Sequence, residues 1–144
     1  MGKKLTFFEK TIIESIIKSI DESDYKYNLV KQYENMEVQE RTYTTTGFFV
    51  DVYIKANSFS IGEDIQMELG SIYAEIKGLK MGAGFILFIR NGLIKMLEGY
   101  CYDELWPKNT KINRIYKVKK DGSLMLLGCQ GDGSVDNLPI EVIH

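Results

Sequence analysis

Asn91-Gly92 stands between two apolar runs, and no other feature constrains this chain as tightly. A type I′ turn needs φ > 0 at both central residues, which makes Asn-Gly between such runs the strongest short-range hairpin signal. A two-residue loop there pairs Arg90 with Leu93, Ile89 with Ile94, Phe88 with Lys95, Leu87 with Met96, Ile86 with Leu97 and Phe85 with Glu98. Successive strand side chains point to opposite faces. Phe85, Leu87, Ile89, Ile94 and Met96 therefore share one apolar face, with Glu98 at its far end. The other face carries Ile86, Phe88, Leu93 and Leu97, interrupted by Arg90 and Lys95. The first face is predicted to lie in the core. The second is predicted to be partly covered, by a helix for example.

A helix opens the chain. Thr6-Phe7-Phe8-Glu9 fits a capping box, with Thr6 as N-cap and Glu9 at N3. Phe8, Ile12, Ile13, Ile16, Ile17 and Ile20 then recur at helical spacing, and the helix is expected to end near 21–23. Such a stripe suits a partner or a membrane surface, but a small domain needs that area for its own core, so packing on a sheet is the preferred reading. Residues 25–35 fit a short helix or a strand. Strands are predicted at 36–43 and 48–54, and at 65–77 with a bulge or break at Gly70. Asp121-Gly122 signals a second hairpin, and 138–143 offers a further edge strand. The pattern makes one α+β domain over 1–144, its N-terminal helix packed on a mainly antiparallel, strongly bent sheet.

Composition narrows the function. A net charge of −2 lacks the basic footprint of a nucleic-acid binder. No apolar run approaches the ~20 residues that span a bilayer, and no signal-peptide pattern follows Met1, so a cytoplasmic protein is expected, with no membrane partner. The chain has two cysteines, Cys101 and Cys129, and no CxxC, so reduced thiols are expected rather than a disulfide framework or a structural zinc site. The one histidine is the terminal His144, which leaves no internal Ser-His-Asp, Cys-His or His-rich metal constellation. No cofactor motif, catalytic motif or metal motif stands out, and Gly131-Asp132-Gly133 reads as a turn rather than a calcium loop. The 20 acidic residues leave carboxylate catalysis open, with Glu98 as the candidate buried acid, its pKa raised by burial. A Glu at the sheet margin, hydrogen-bonded to a loop or paired with a base, is the preferred reading of that residue. Tyr100, Tyr102 and Trp106 are expected to form an aromatic cluster at the sheet end, because Asp103 and Glu104 beside them would repel phosphate.

The segment from Gly84 to Pro107 combines an apolar strand, a turn ending in Gly, a strand ending Leu97-Glu98, then Tyr100-Cys101-Tyr102 and an acidic stretch closing at Trp106-Pro107. Over about 62–107 it resembles small bacterial α+β proteins found among the immunity proteins of polymorphic toxin and contact-dependent inhibition systems. The resemblance implies a non-enzymatic, cytoplasmic inhibitor whose partner is a protein toxin domain, a nuclease among the candidates, and which is itself a monomer or weak homodimer. Asp103 and Glu104 are the candidate partner-binding residues, since they follow the second hairpin strand and precede the expected Trp106 anchor. The alternative is a small-molecule-binding protein or carboxylate-based enzyme using a pocket near Glu98, and a third reading is a structural or regulatory subunit.

Overall fold

The computed structural model describes residues 4–20, 24–55 and 59–129, so the edge strand expected at 138–143 lies outside the described residues. Helices α1 (Phe7–Lys18) and α2 (Asp24–Glu34) precede strands β1 (Met36–Thr44), β2 (Gly47–Ile54), β3 (Met67–Ile76), β4 (Ala83–Arg90), β5 (Leu93–Cys101), β6 (Ile112–Val118) and β7 (Leu124–Cys129). The strands form one open antiparallel sheet in the order β1-β2-β5-β4-β3-β6-β7. The fold is α+β, with α1 packed on the sheet.

The helix begins as its residues require. Thr6 Oγ1 accepts from the Glu9 amide at 3.1 Å, and the Glu9 carboxylate accepts from the Thr6 amide at 2.8 Å. Glu9 also meets the Arg41 guanidinium in a two-pronged pair at 2.7 and 2.8 Å, which ties α1 to β1. Ile12, Ile13, Ile16 and Ile17 are buried against the sheet. Lys117 closes the other end, its amine donating to the Ser19 carbonyl at 2.7 Å, where the helix dipole favours a cation. Residues 25–35, open between helix and strand in the sequence, are helical up to Glu34.

The Asn91-Gly92 turn forms as read, with φ of 53° and 76°. Its surroundings were not legible. The loop after β2 wraps it: Gly92 donates to the Ile65 carbonyl at 2.9 Å and accepts from the Ile61 amide at 3.0 Å. Gln32 of α2 reaches the same turn from the core side.

The register of the hairpin corrects the alternation drawn from the sequence. Arg90 pairs with Leu93 and Ile89 with Ile94, but then Phe88 pairs with Met96, Leu87 with Leu97 and Ile86 with Glu98. Lys95 is an extra residue on β5. The bulge has a packing cause. Ile94 and Leu97 are three apart, and both can face the core only if one residue is inserted between them. Leu97 is accordingly buried, while Met96 is only half-buried on the opposite face. Five of the six strand pairings carry such an irregularity, each adding local twist and bend. One of them falls between Leu69 and Ile72, around Gly70 as expected.

The second face is partly covered, as expected. Both helices lie against the face of Phe85, Leu87 and Ile89, so the face of Ile86 and Phe88 receives no helix among the described residues. It is a half-buried apolar surface that also bears Phe49, Met96, Tyr73, Tyr100 and Tyr116.

Candidate functional site

Three connections meet at the sheet end opposite the Asn-Gly turn: 45–46 between β1 and β2, 77–82 between β3 and β4, and the chain after β5. Cys101 donates its amide to the Thr46 carbonyl at 2.9 Å, and Trp106 donates to the Thr45 carbonyl at 3.0 Å. The Trp106 ring packs edge-on to Phe48, Phe8 and Phe85, with centroids 5.2, 6.4 and 6.3 Å away. Four residues thus leave the sheet at Cys101 and return to an aromatic anchor at Trp106. The expected anchoring by Trp106 is present, but its cluster is with these phenylalanines. Tyr100 and Tyr102 sit apart on the outer face and meet each other, centroids 5.7 Å apart.

Both candidate recognition acids lie on this short excursion, and they differ. Asp103 has φ of 51° and an exposed side chain. Among the described residues its carboxylate makes no hydrogen bond and no ion pair. Left-handed backbone is unusual outside glycine, and Asp is among the residues that tolerate it. Glu104 is turned inward. Its carboxylate oxygens accept from the Lys80 amide at 2.9 Å and the Met81 amide at 3.1 Å. Those two backbone donors hold its carboxyl below the usual carboxylate range.

Across the gap, Tyr73 donates its hydroxyl to the Met81 carbonyl at 3.0 Å. Its ring occupies the place of a Cβ at Gly82, whose φ is 68°. The Cys101 thiol lies 3.3 and 3.2 Å from the carbonyls of Thr46 and Glu104. Burial pushes that thiol up, and the nearby Glu104 charge adds to the shift, so it is not a poised nucleophile.

Glu98 is displaced by the Lys95 bulge. It stands on the outer face, opposite Ile86 on β4 and Phe49 on β2, and is half-buried rather than set in the core face where the sequence placed it. The other acid of that region, Asp51, faces Met96, one diagonal step away. A groove of 510 Å³ lies elsewhere, between α1, the end of α2 and β1. Lys4, Lys10, Glu14, Tyr33, Glu34 and Glu37 line it with Leu5 and Met36, and Glu98 does not. Burial first, and then the carboxylate of Glu14, push the Tyr33 hydroxyl well up, so it is a hydrogen-bond donor at any physiological pH. Lys55 and Tyr53 hold the carboxyl of Glu37 down. The described residues contain no group of three or more His, Cys, Asp or Glu side chains arranged to hold a metal ion. No described helix is long and apolar enough to cross a membrane.

The sequence missed Met81 and Leu105. They are 60% and 74% exposed at this sheet end, as large apolar side chains with no core to fill. Leu105 had a usable signal: it sits between an acid and the Trp106 anchor, where an inward Trp leaves its neighbour outward. Met81, in a Gly-flanked loop, had none. What the fold and the site define, among the described residues, is an α+β protein with both helices on one face of an open antiparallel sheet and one cross-linked loop cluster at the sheet end. No family model matches the chain, and neither a curated protein nor a solved structure matches it.

Proposed function

We propose that this chain is a cytoplasmic immunity protein that binds a toxin domain and blocks it. The observation that supports this reading is the Asp103 excursion: an exposed carboxylate without a partner among the described residues, on four residues clamped at both ends. A loop already ordered in the free protein loses little entropy on binding. An unpaired acid at its tip accelerates encounter with a basic partner and selects against acidic ones. Neutralisation of this kind needs surface complementarity and no catalytic group.

The second reading, a carboxylate-based enzyme or small-molecule binder, draws on the diagonal placement of Asp51 and Glu98 on the outer face. One experiment separates the two. A toxin domain, once a neighbouring gene supplies one, is titrated with wild type and with the double variant Asp103→Lys, Glu104→Lys. Weakening by at least about tenfold, roughly 1.4 kcal/mol, is expected with the fold retained. Absence of any binding by wild type, together with turnover of a small substrate that Glu98→Gln abolishes, would overturn the immunity reading.

A further inference from the structure

Besides Tyr43 on β1, which is 69% exposed, large exposed apolar side chains at this sheet end come from two different connections. Met81 belongs to the loop after β3, and Tyr102 and Leu105 belong to the chain after β5; they are 60%, 50% and 74% exposed. Single exposed apolar residues are ordinary on any surface. These three are unusual in being held. The Tyr102 ring meets Tyr100 at 5.7 Å, the Met81 carbonyl accepts from the Tyr73 hydroxyl, and beside Leu105 the Trp106 amide donates to the Thr45 carbonyl. The two loops are joined by a single side chain, since Glu104 spans from one to the Lys80 and Met81 amides of the other.

Resting on the partner-binding reading above, we infer that Met81, Tyr102 and Leu105 form one composite docking surface for a protein bearing an apolar pocket with Arg or Lys at its rim. Glu104 is the positioning residue that keeps the two loops in register.

The argument for a protein partner is compositional and geometric. Tyr and Met are favoured at interface cores, where rigid anchors enter desolvated pockets. None of the three lines the groove beside β1. The charge at the rim is set by Asp103, exposed within the same four-residue excursion and unpaired among the described residues. Lys80 and Lys108, close to the excursion in the fold or the sequence, are exposed as well. Glu104 spends both its oxygens on backbone amides, so its part is to hold Met81 in place, and recognition falls to Asp103 and the apolar three. The depressed pKa of Glu104 is consistent with a latch that stays charged at neutral pH.

The test needs no toxin. Peptides are selected from a random library against the wild-type protein, and their affinities are compared across variants. Peptides in which several apolar residues, able to close around the three side chains, stand beside Arg or Lys are expected. Met81→Ser and Leu105→Ser are each expected to weaken them at least about tenfold, that is 1.4 kcal/mol. Glu104→Ala is expected to weaken them similarly while hydrogen exchange at Lys80 and Met81 quickens. Glu104→Gln, which keeps one amide acceptor, is expected to recover part of both losses. Selected peptides without a basic residue, or affinities indifferent to Met81→Ser and Leu105→Ser, would overturn the docking surface. Unchanged affinity in Glu104→Ala despite faster exchange would overturn the latch. If peptides behave as expected but no toxin domain binds, the surface stands and the immunity reading falls.

Discussion

Gln32 is the most informative residue to remove. It is fully buried, on a helix, and all its side-chain hydrogen bonds go to distant backbone. Its amide nitrogen donates to the Phe59 carbonyl at 2.8 Å and the Gly92 carbonyl at 2.9 Å, and its oxygen accepts from the Ile94 amide at 2.8 Å. The side chain thereby joins α2, the loop after β2 and the central turn. In Gln32→Leu the Gly92 carbonyl keeps the Ile61 amide at 3.0 Å. The Ile94 N–H and the Phe59 carbonyl lose the partners they have among the described residues. Each buried orphan costs about 1–3 kcal/mol, so a loss of about 2–5 kcal/mol is expected after the small gain from added apolar volume. For a chain of this size that lowers Tm by roughly 5–15 °C. Gln32→Glu adds a sign test. Its carboxylate still accepts from Ile94 but faces two carbonyl oxygens, so the folded pKa of the introduced acid is raised. Stability is then fully present below the unfolded carboxyl pKa and is lost as pH rises through the raised folded value. Urea unfolding at acid and neutral pH measures both variants, and hydrogen exchange reads the Ile94 amide directly. A Leu variant within about 1 kcal/mol of wild type, with Ile94 still protected, would refute the clamp.

Three further outcomes are expected. Gly92→Val strains a residue at φ 76° and drives its Cβ into Ser60 Oγ and the Gly62 backbone, so urea unfolding should show a loss above the ~1–3 kcal/mol of strain alone. Ile16→Ala hollows a site that is 1% exposed and should cost about 2–5 kcal/mol by the same assay; wild-type stability would make the stripe a surface instead. The Glu104 latch depends on a carboxyl whose folded pKa is depressed, so its contribution is present above the unfolded pKa and disappears as pH falls through the folded one. Hydrogen exchange at Lys80 and Met81 should therefore lose its protection only in that acid window, and not in Glu104→Ala, where it is already gone.

Local signals carried most of the fold. The capping box at Thr6 and Glu9, the isoleucine stripe and the Asn-Gly turn each depend on residues close in sequence, where side-chain chemistry dictates geometry without help. Residues 25–35 were ambiguous for a physical reason. Tyrosine suits either element, and what decides is Gln32, whose partners lie 27 to 62 positions away. The hairpin register failed because strict alternation was extended through Lys95. The warning was present in the spacing of apolar residues. Ile94 and Leu97, Leu69 and Ile72, and Ile112 and Ile115 are each three apart, each pair faces the core, and each brackets a bulge. An odd interval between apolar residues in a strand marks an inserted residue whenever both must be buried.

That single inserted residue also governs the chemistry. With alternation unbroken, Glu98 would stand on the core face, opposite Phe85. With Lys95 looped out, Leu97 takes the core and Glu98 turns to the open face, opposite Ile86 and Phe49. The two acids named for recognition diverge for a comparable reason. Neighbours in sequence, they sit where the backbone reverses at φ 51°, so one side chain is sent outward and the next inward onto the Lys80 and Met81 amides. Sequence proximity placed both on one loop. Only the partner across the gap, more than twenty residues upstream, determines which of them is free to meet another molecule.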